Sequence, residues 1–208
     1  MKKKWAILIL MLVFFEVLVY ILAVEASPDH TLVFQLAARY SARISLFIYV
    51  GLLSWLAYKG LVNIYDNSHL RNTFKLSFSG LVINHIIHFY FLFTNFQVHG
   101  LDLLQPRSIL GVITYFSLIV TSIFLWITED LNRRLYLTVW SCLVIAAIVF
   151  LGTYIGRLNK AMPEPSSPYL FIFLIALLIS LLIANAYRIS VEIRDSLKGG
   201  KQKKPSIA

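Results

Sequence analysis

Three side chains in this sequence are ionisable and lie deep in apolar surroundings: Glu16, His85 and His88. The two histidines share the run "LSFSGLVINHIIHFYFLF" (76–93), and the acid interrupts "AILILMLVFFEVLVYILAV" (6–24). Imidazoles in such a setting can ligate a metal cofactor, relay protons, or satisfy hydrogen bonds between packed helices, and these three readings stay open on residue type alone. A bare carboxylate among apolar side chains is strongly disfavoured, so Glu16 is expected to be largely protonated or hydrogen-bonded.

The elements that carry these groups follow from composition. The chain has 208 residues, of which 59% are hydrophobic and only 14% charged. A soluble domain carries about a quarter charged residues. The charges cluster, leaving six apolar windows at about 5–24, 42–59, 76–96, 109–128, 135–155 and 169–187, each near the roughly 20 residues that cross a bilayer. An all-α bundle of six transmembrane helices is the expected fold class, because backbone groups in lipid must be satisfied within each segment. Residues 1–190 form this bundle and 191–208 a basic tail. No internal repeat and no second domain is apparent, and "NKAMPEPSSPYL" (159–170) is a proline-rich connection too short to fold alone. Cys142 is the sole cysteine, which excludes a disulfide or a cysteine-rich metal site.

Basic residues set the expected orientation. With the N-terminus inside, inner segments hold fourteen of the nineteen Lys and Arg; the other five are Arg39, Arg43, Arg107, Arg157 and Lys160. Both termini are therefore expected in the cytoplasm. The opening "MKKKWAILILMLVFFEVLVYILAVEAS" is read as a retained first helix. Its apolar stretch exceeds the 7–15 residues of a secretory signal and contains a glutamate, and cleavage after "VEA" would leave five spans in the same orientation. The net charge of +9 sits in inner loops and in "RDSLKGGKQKKPSIA" (194–208), a distribution suited to topology and to anionic lipid headgroups, not to nucleic acid.

Helix geometry constrains what the histidines can hold. Spans one and three both run outward, which brings Glu16, His85 and His88 to one depth and allows a Glu16–histidine contact if those helices are neighbours. At about 100° per residue, Ser77, Asn84, His88 and Asn95 share a stripe roughly 40° wide, with His85 about 60° to one side. Such a seam faces other helices. Residues three apart project from one side of one helix, about 4.5 Å apart along its axis. They cannot grip one haem iron from opposite faces, nor serve two stacked haems. At most one haem is accommodated, with a further ligand from elsewhere.

Several stretches resemble the ferric-reductase-like transmembrane domain, a family that includes haem-binding membrane subunits of periplasmic reductase systems. "ARISLFIYV" (42–50) is similar to the family's Gly-Arg-x-x-Leu opening of the second span, with Ala42 for glycine and Arg43 retained. "LRNTFKLSFSGLVINH" (70–85) resembles the basic entry to the third span followed by its haem histidine, here Arg71 and His85. "QPRSILG" (105–111) and "ITEDLNRRLYLTVW" (127–140) resemble the entries to spans four and five. The resemblance covers residues 40–160. It implies a haem b bound through His85 or His88, electron transfer across a bacterial inner membrane, and a redox partner protein or quinone, since no flavin or nicotinamide fingerprint occurs.

The fifth span departs from that pattern. The family's two histidines fall near Val144 and Arg157, and "LYLTVWSCLVIAAIVFLGTYI" (135–155) has none. Substitute ligands are His30 and His99 in outer loops, Tyr154 and Cys142 in the fifth span, and Met162 in the loop after it; His69 is on the inner side. Two functional classes follow: an electron-transfer subunit with degenerate haem ligation, or a haem-free bundle serving interaction, assembly or transport. No serine or cysteine has a histidine and carboxylate at a hydrolase spacing. The six-span reading predicts that reporter fusions after Asp66 and Asp130 report a cytoplasmic location, and fusions after Asp29, Leu101 and Pro165 an external one. A cytoplasmic signal at Leu101 contradicts it.

Overall fold

In a computed structural model, which describes residues 2–27, 29–101, 106–158 and 168–199, every element is helical. The helices are α1 (Lys2–Ala26), α2 (Val33–Lys59), the short α3 (Leu61–Asp66), α4 (Ser68–Val98), α5 (Pro106–Ile127), α6 (Arg133–Leu158) and α7 (Pro168–Gly199), with a 3₁₀ turn at His30–Leu32. Six of them are long and apolar enough to cross a membrane, among the described residues. The chain is a multi-pass membrane bundle. The proline-rich connection (159–167) and the end of the basic tail (200–208) lie outside the described residues.

Three boundaries differ from the hydropathy windows, and each has a local cause. The second helix begins at Val33 instead of near 42 because Gln35, Arg39 and Arg43 turn toward an internal cavity instead of lipid, so the window is apolar only from its second half. The fourth element begins at Ser68 because Asn67 caps it, its side-chain oxygen accepting from the His69 and Leu70 N–H groups at 3.0 and 3.1 Å. The last helix runs on to Gly199, so the first residues of the basic tail are helical.

The centre of the bundle is the α2–α4 pair, the most extensive helix contact in the fold. Its lower half is a dry core in which Tyr49, Leu53, Leu56, Phe74, Phe78 and Leu143 are almost completely buried. Polar side chains join the helices at several heights. Tyr49 on α2 donates to the Leu143 carbonyl on α6 at 2.6 Å, and Asn185 on α7 donates to the Leu53 carbonyl on α2 at 3.0 Å. Ser79 on α4 meets Ser122 at 3.1 Å and accepts from the Trp126 indole at 2.9 Å, both on α5. Apolar side chains cannot drive association in lipid as they do in water, so such hydrogen bonds and close packing fix which helix sits beside which.

One end of the bundle is sealed by backbone caps. Lys75 Nζ donates to the Thr128 carbonyl at 3.0 Å and Arg71 to that of Glu129 at 2.9 Å, closing the C-terminus of α5. Its free carbonyls carry partial negative charge, which favours both cations. At the α2–α3 corner, Arg188 donates to the Lys59 carbonyl at 2.6 Å, while Glu192 accepts from the Val62 N–H at 3.1 Å and the Tyr136 hydroxyl at 2.8 Å. α3 lies beside this corner with Leu61, Ile64 and Tyr65 buried, and burial pushes the Tyr65 phenol up to about 12.

Gly60 makes that corner. Its φ is +78°, and a Cβ there would collide with the Glu192 carboxylate and the Arg188 guanidinium. Gly51, in the middle of α2, has open space around its Cβ position and an ordinary helical backbone. Gly60→Ala is therefore expected to destabilise the solubilised protein by roughly 1–3 kcal/mol, and Gly51→Ala to be neutral or mildly stabilising. Melting temperatures of the two variants check this; equal shifts refute the corner's role.

Candidate functional site

Construction of the site begins with Asn84. Its amide donates to the Ser45 hydroxyl at 2.9 Å and the Ser41 carbonyl at 3.3 Å, both on α2. The Ser41 hydroxyl in turn donates to Glu16 on α1 at 2.8 Å, and the Asn84 side chain also borders that carboxyl. Three helices are thus tied at one depth. Glu16 and the histidines do share that depth, but Glu16 is partnered by Ser41 and Asn84, so the contact with a histidine that neighbouring helices would allow is taken by Asn84. Ser77 forms no part of the network, and Ser79, outside the expected stripe, bonds instead to Ser122 and Trp126 of α5.

With Asn84 held against α2, the next residues of α4 are rotated toward α5 and α6. His85 is buried, with 8% of its surface exposed, and stacks on Tyr115 of α5 with ring centroids 4.4 Å apart. His88 follows at 5.5 Å from His85 and 6.3 Å from Tyr115. The Ala38 backbone of α2 faces the His88 ring. In both imidazoles Nδ1 is buried and without a hydrogen-bond partner among the described residues.

Both rings line a cavity of about 600 Å³ among α2, α4, α5, α6 and α7. This lies within the range of 300–1,000 Å³ typical of small-molecule and cofactor sites. Its floor is aromatic, from Tyr115, Phe89 and Phe150. Toward the other end it is lined by Arg39 and Arg43 of α2, Arg157 and Tyr154 of α6, and Asn95 of α4. The sequence placed Arg39 with the outer basic residues, Arg43 in a family-like motif and Arg157 at a family histidine position, but none of them at a common site. A basic residue four positions from another on an otherwise apolar helix, as Arg39 and Arg43 are, was the available signal.

The remaining candidates are scattered. His30 and His99 are exposed and do not line the cavity; both stand close enough to Asp29 to act on its charge. Asp29 is held in its turn by the Thr31 N–H and hydroxyl, at 3.0 and 2.8 Å, which keep its carboxyl below the usual range. Cys142 is buried on α6 against Ser117 of α5 at 3.7 Å, away from the cavity. His69 is exposed at the opposite end of α4. Met162 lies outside the described residues. Of the non-histidine substitutes, Tyr154 alone lines the cavity.

The departure in α6 also has a geometric side. Val144 is 45% exposed on the outer surface of the bundle, so a histidine there would point into lipid, whereas Arg157 does line the cavity. Along α6 the cavity wall is Ile148, Val149, Phe150, Gly152, Thr153, Tyr154 and Arg157, with no imidazole. No group of three or more metal-ligating side chains forms among the described residues. His85 and His88 come from one helix and no other histidine lines the cavity, so the donor set does not fit a bis-histidine site and leaves at most one histidine ligand for a haem. Comparisons with protein-family models, curated proteins and solved structures yield no match for this chain.

The Glu16 network makes its own prediction. Glu16→Gln retains an oxygen to accept from Ser41 and is expected to cost about 1 kcal/mol. Glu16→Lys puts an uncompensated charge beside the Asn84 amide and is expected to cost about 3–5 kcal/mol. Yield of folded protein and thermal stability of the two variants report the difference; equal effects would mean that Glu16 faces water.

Proposed function

We propose that the chain is a haem b electron-transfer subunit of the ferric-reductase-like class, in the inner membrane of a bacterium, in which His85 would hold the haem iron. The observation that carries this reading is the meeting, in one cavity of about 600 Å³, of three guanidinium groups and two imidazole nitrogens that have no hydrogen-bond partner among the described residues. Haem supplies one-electron chemistry when bound. His85 contributes the ligand nitrogen from a ring held by Tyr115. His88, set against the Ala38 backbone, orients its neighbour by packing at 5.5 Å. The arginines favour carboxylates at the opposite end of the cavity. Phe89, Phe150 and Leu174 supply apolar walls for the ring. The electron donor is a redox protein or a quinone.

The histidine-free wall of α6 favours a second reading, a haem-free bundle serving interaction, assembly or transport. A spectrum separates the two. Protein produced with haem supplied is expected to show a Soret band that His85→Ala abolishes and His88→Ala only shifts. With one histidine ligand, the reduced protein is expected to bind carbon monoxide readily. A bis-histidine spectrum that persists after loss of both His30 and His99 overturns the ligand assignment, and a missing Soret band decides for the haem-free bundle.

A further inference from the structure

Arg39, Arg43 and Arg157 are three guanidinium groups in the membrane-spanning part of the bundle, and no carboxylate lies within salt-bridge distance of any of them among the described residues. They stand close enough together that each bears on the charge of the others. Arg39 Nη1 is buried without a hydrogen-bond partner among the described residues. Like charges gathered in a low-dielectric setting repel one another and lose hydration, so the arrangement favours an anion among them. Arginine is suited to carboxylate or phosphate because its planar fork donates two parallel hydrogen bonds. Tyr154, buried beside Arg157, adds a hydroxyl.

Two glycines leave the α5–α6 side of the cavity thinly walled. Gly111 on α5 and Gly152 on α6 both line it, and nothing lies within 4 Å of the Cβ position of either. Around them Leu110 and Ile148 are exposed on the outside of the bundle. A ligand entering there passes between apolar side chains before its polar end meets the arginines.

We infer that Arg39, Arg43 and Arg157 seat the acid group of a membrane-soluble amphiphile that enters the cavity laterally between α5 and α6 with its apolar body among the aromatic side chains. The acid is a carboxylate or a phosphate. Its source is either an anionic lipid, such as a fatty acid or lysophosphatidate, or the propionates of a porphyrin. The site occupies the cavity of the electron-transfer reading but does not require iron or a histidine ligand.

The test uses the full chain in phosphatidylcholine nanodiscs and the fluorescent fatty acid cis-parinaric acid. Saturable binding above partition into empty discs is expected, displaced by oleate and not by oleyl alcohol, which has the same chain without the charge. Changing the three arginines together to glutamine is expected to weaken binding at least about tenfold. Oleyl alcohol competing as well as oleate overturns the inference without recourse to any variant. So does undiminished binding by a triple variant that melts like the wild type. Competition by lysophosphatidate alone assigns a lipid source, and competition by haemin assigns the porphyrin. A chain that binds parinarate through the arginines yet gives no Soret band keeps this inference and loses the electron-transfer reading. A haem-binding chain whose parinarate binding ignores the arginines does the reverse.

Discussion

In hydrocarbon a polar side chain must find its partner inside the protein, and in this bundle that constraint is met first at Asn84. Its two hydrogen bonds to α2 fix the rotation of α4 as well as its position. A helix turns about 100° per residue, so holding residue 84 against α2 turns His85 toward Tyr115 of α5 and Phe150 of α6 and leaves His88, about 40° from residue 84, beside the Ala38 backbone at the α2 edge of the cavity. Glu16 extends the same network to α1 through Ser41. The placement of both imidazoles is thus a consequence of an amide and two serines that touch no part of the cavity.

The bundle is polarised along its length. At one end cations meet backbone carbonyls: Lys75 and Arg71 close α5, and Arg188 closes α2. Those guanidinium and ammonium groups finish helix ends that would otherwise present bare acceptors. At the other end the cations meet one another across a cavity. The same residue types therefore serve two opposite purposes, and what separates them is whether a carbonyl or an empty volume lies opposite.

Much of the architecture could be read from the amino-acid order, because apolar length is a direct signal of membrane crossing. The six long helices, the common depth of Glu16, His85 and His88, and the inward face of Asn84 and Asn95 all follow from hydropathy and the 3.6-residue period. What escaped has a common physical origin. The early start of α2 and the role of Arg39 and Arg157 depend on a cavity, and a cavity is a property of several helices at once. α3 is a turn of helix set by Gly60 and by residues more than a hundred positions away. Ser79 and Tyr49 carry interhelical hydrogen bonds on residues that, singly, read as ordinary interior positions. The choice between Val144 and its neighbours as a cavity position depends on how α6 is rotated, which its nearly uniform apolar surface does not announce.

The sealing of α2 by α7 sets an order on biosynthesis. The Lys59 and Leu53 carbonyls are partnered by Arg188 and Asn185, residues 129 and 132 positions later in the chain. At the roughly 5–20 residues per second of protein synthesis, on the order of ten seconds separate their appearance from that of their partners. Throughout that interval the second helix sits in the bilayer with a waiting surface, and the corner at Gly60 has neither Arg188 nor Glu192 to brace it. The nascent bundle is consequently open on its α7 side until that helix arrives, and a segment made more than a hundred residues later is the one that locks the first half of the bundle.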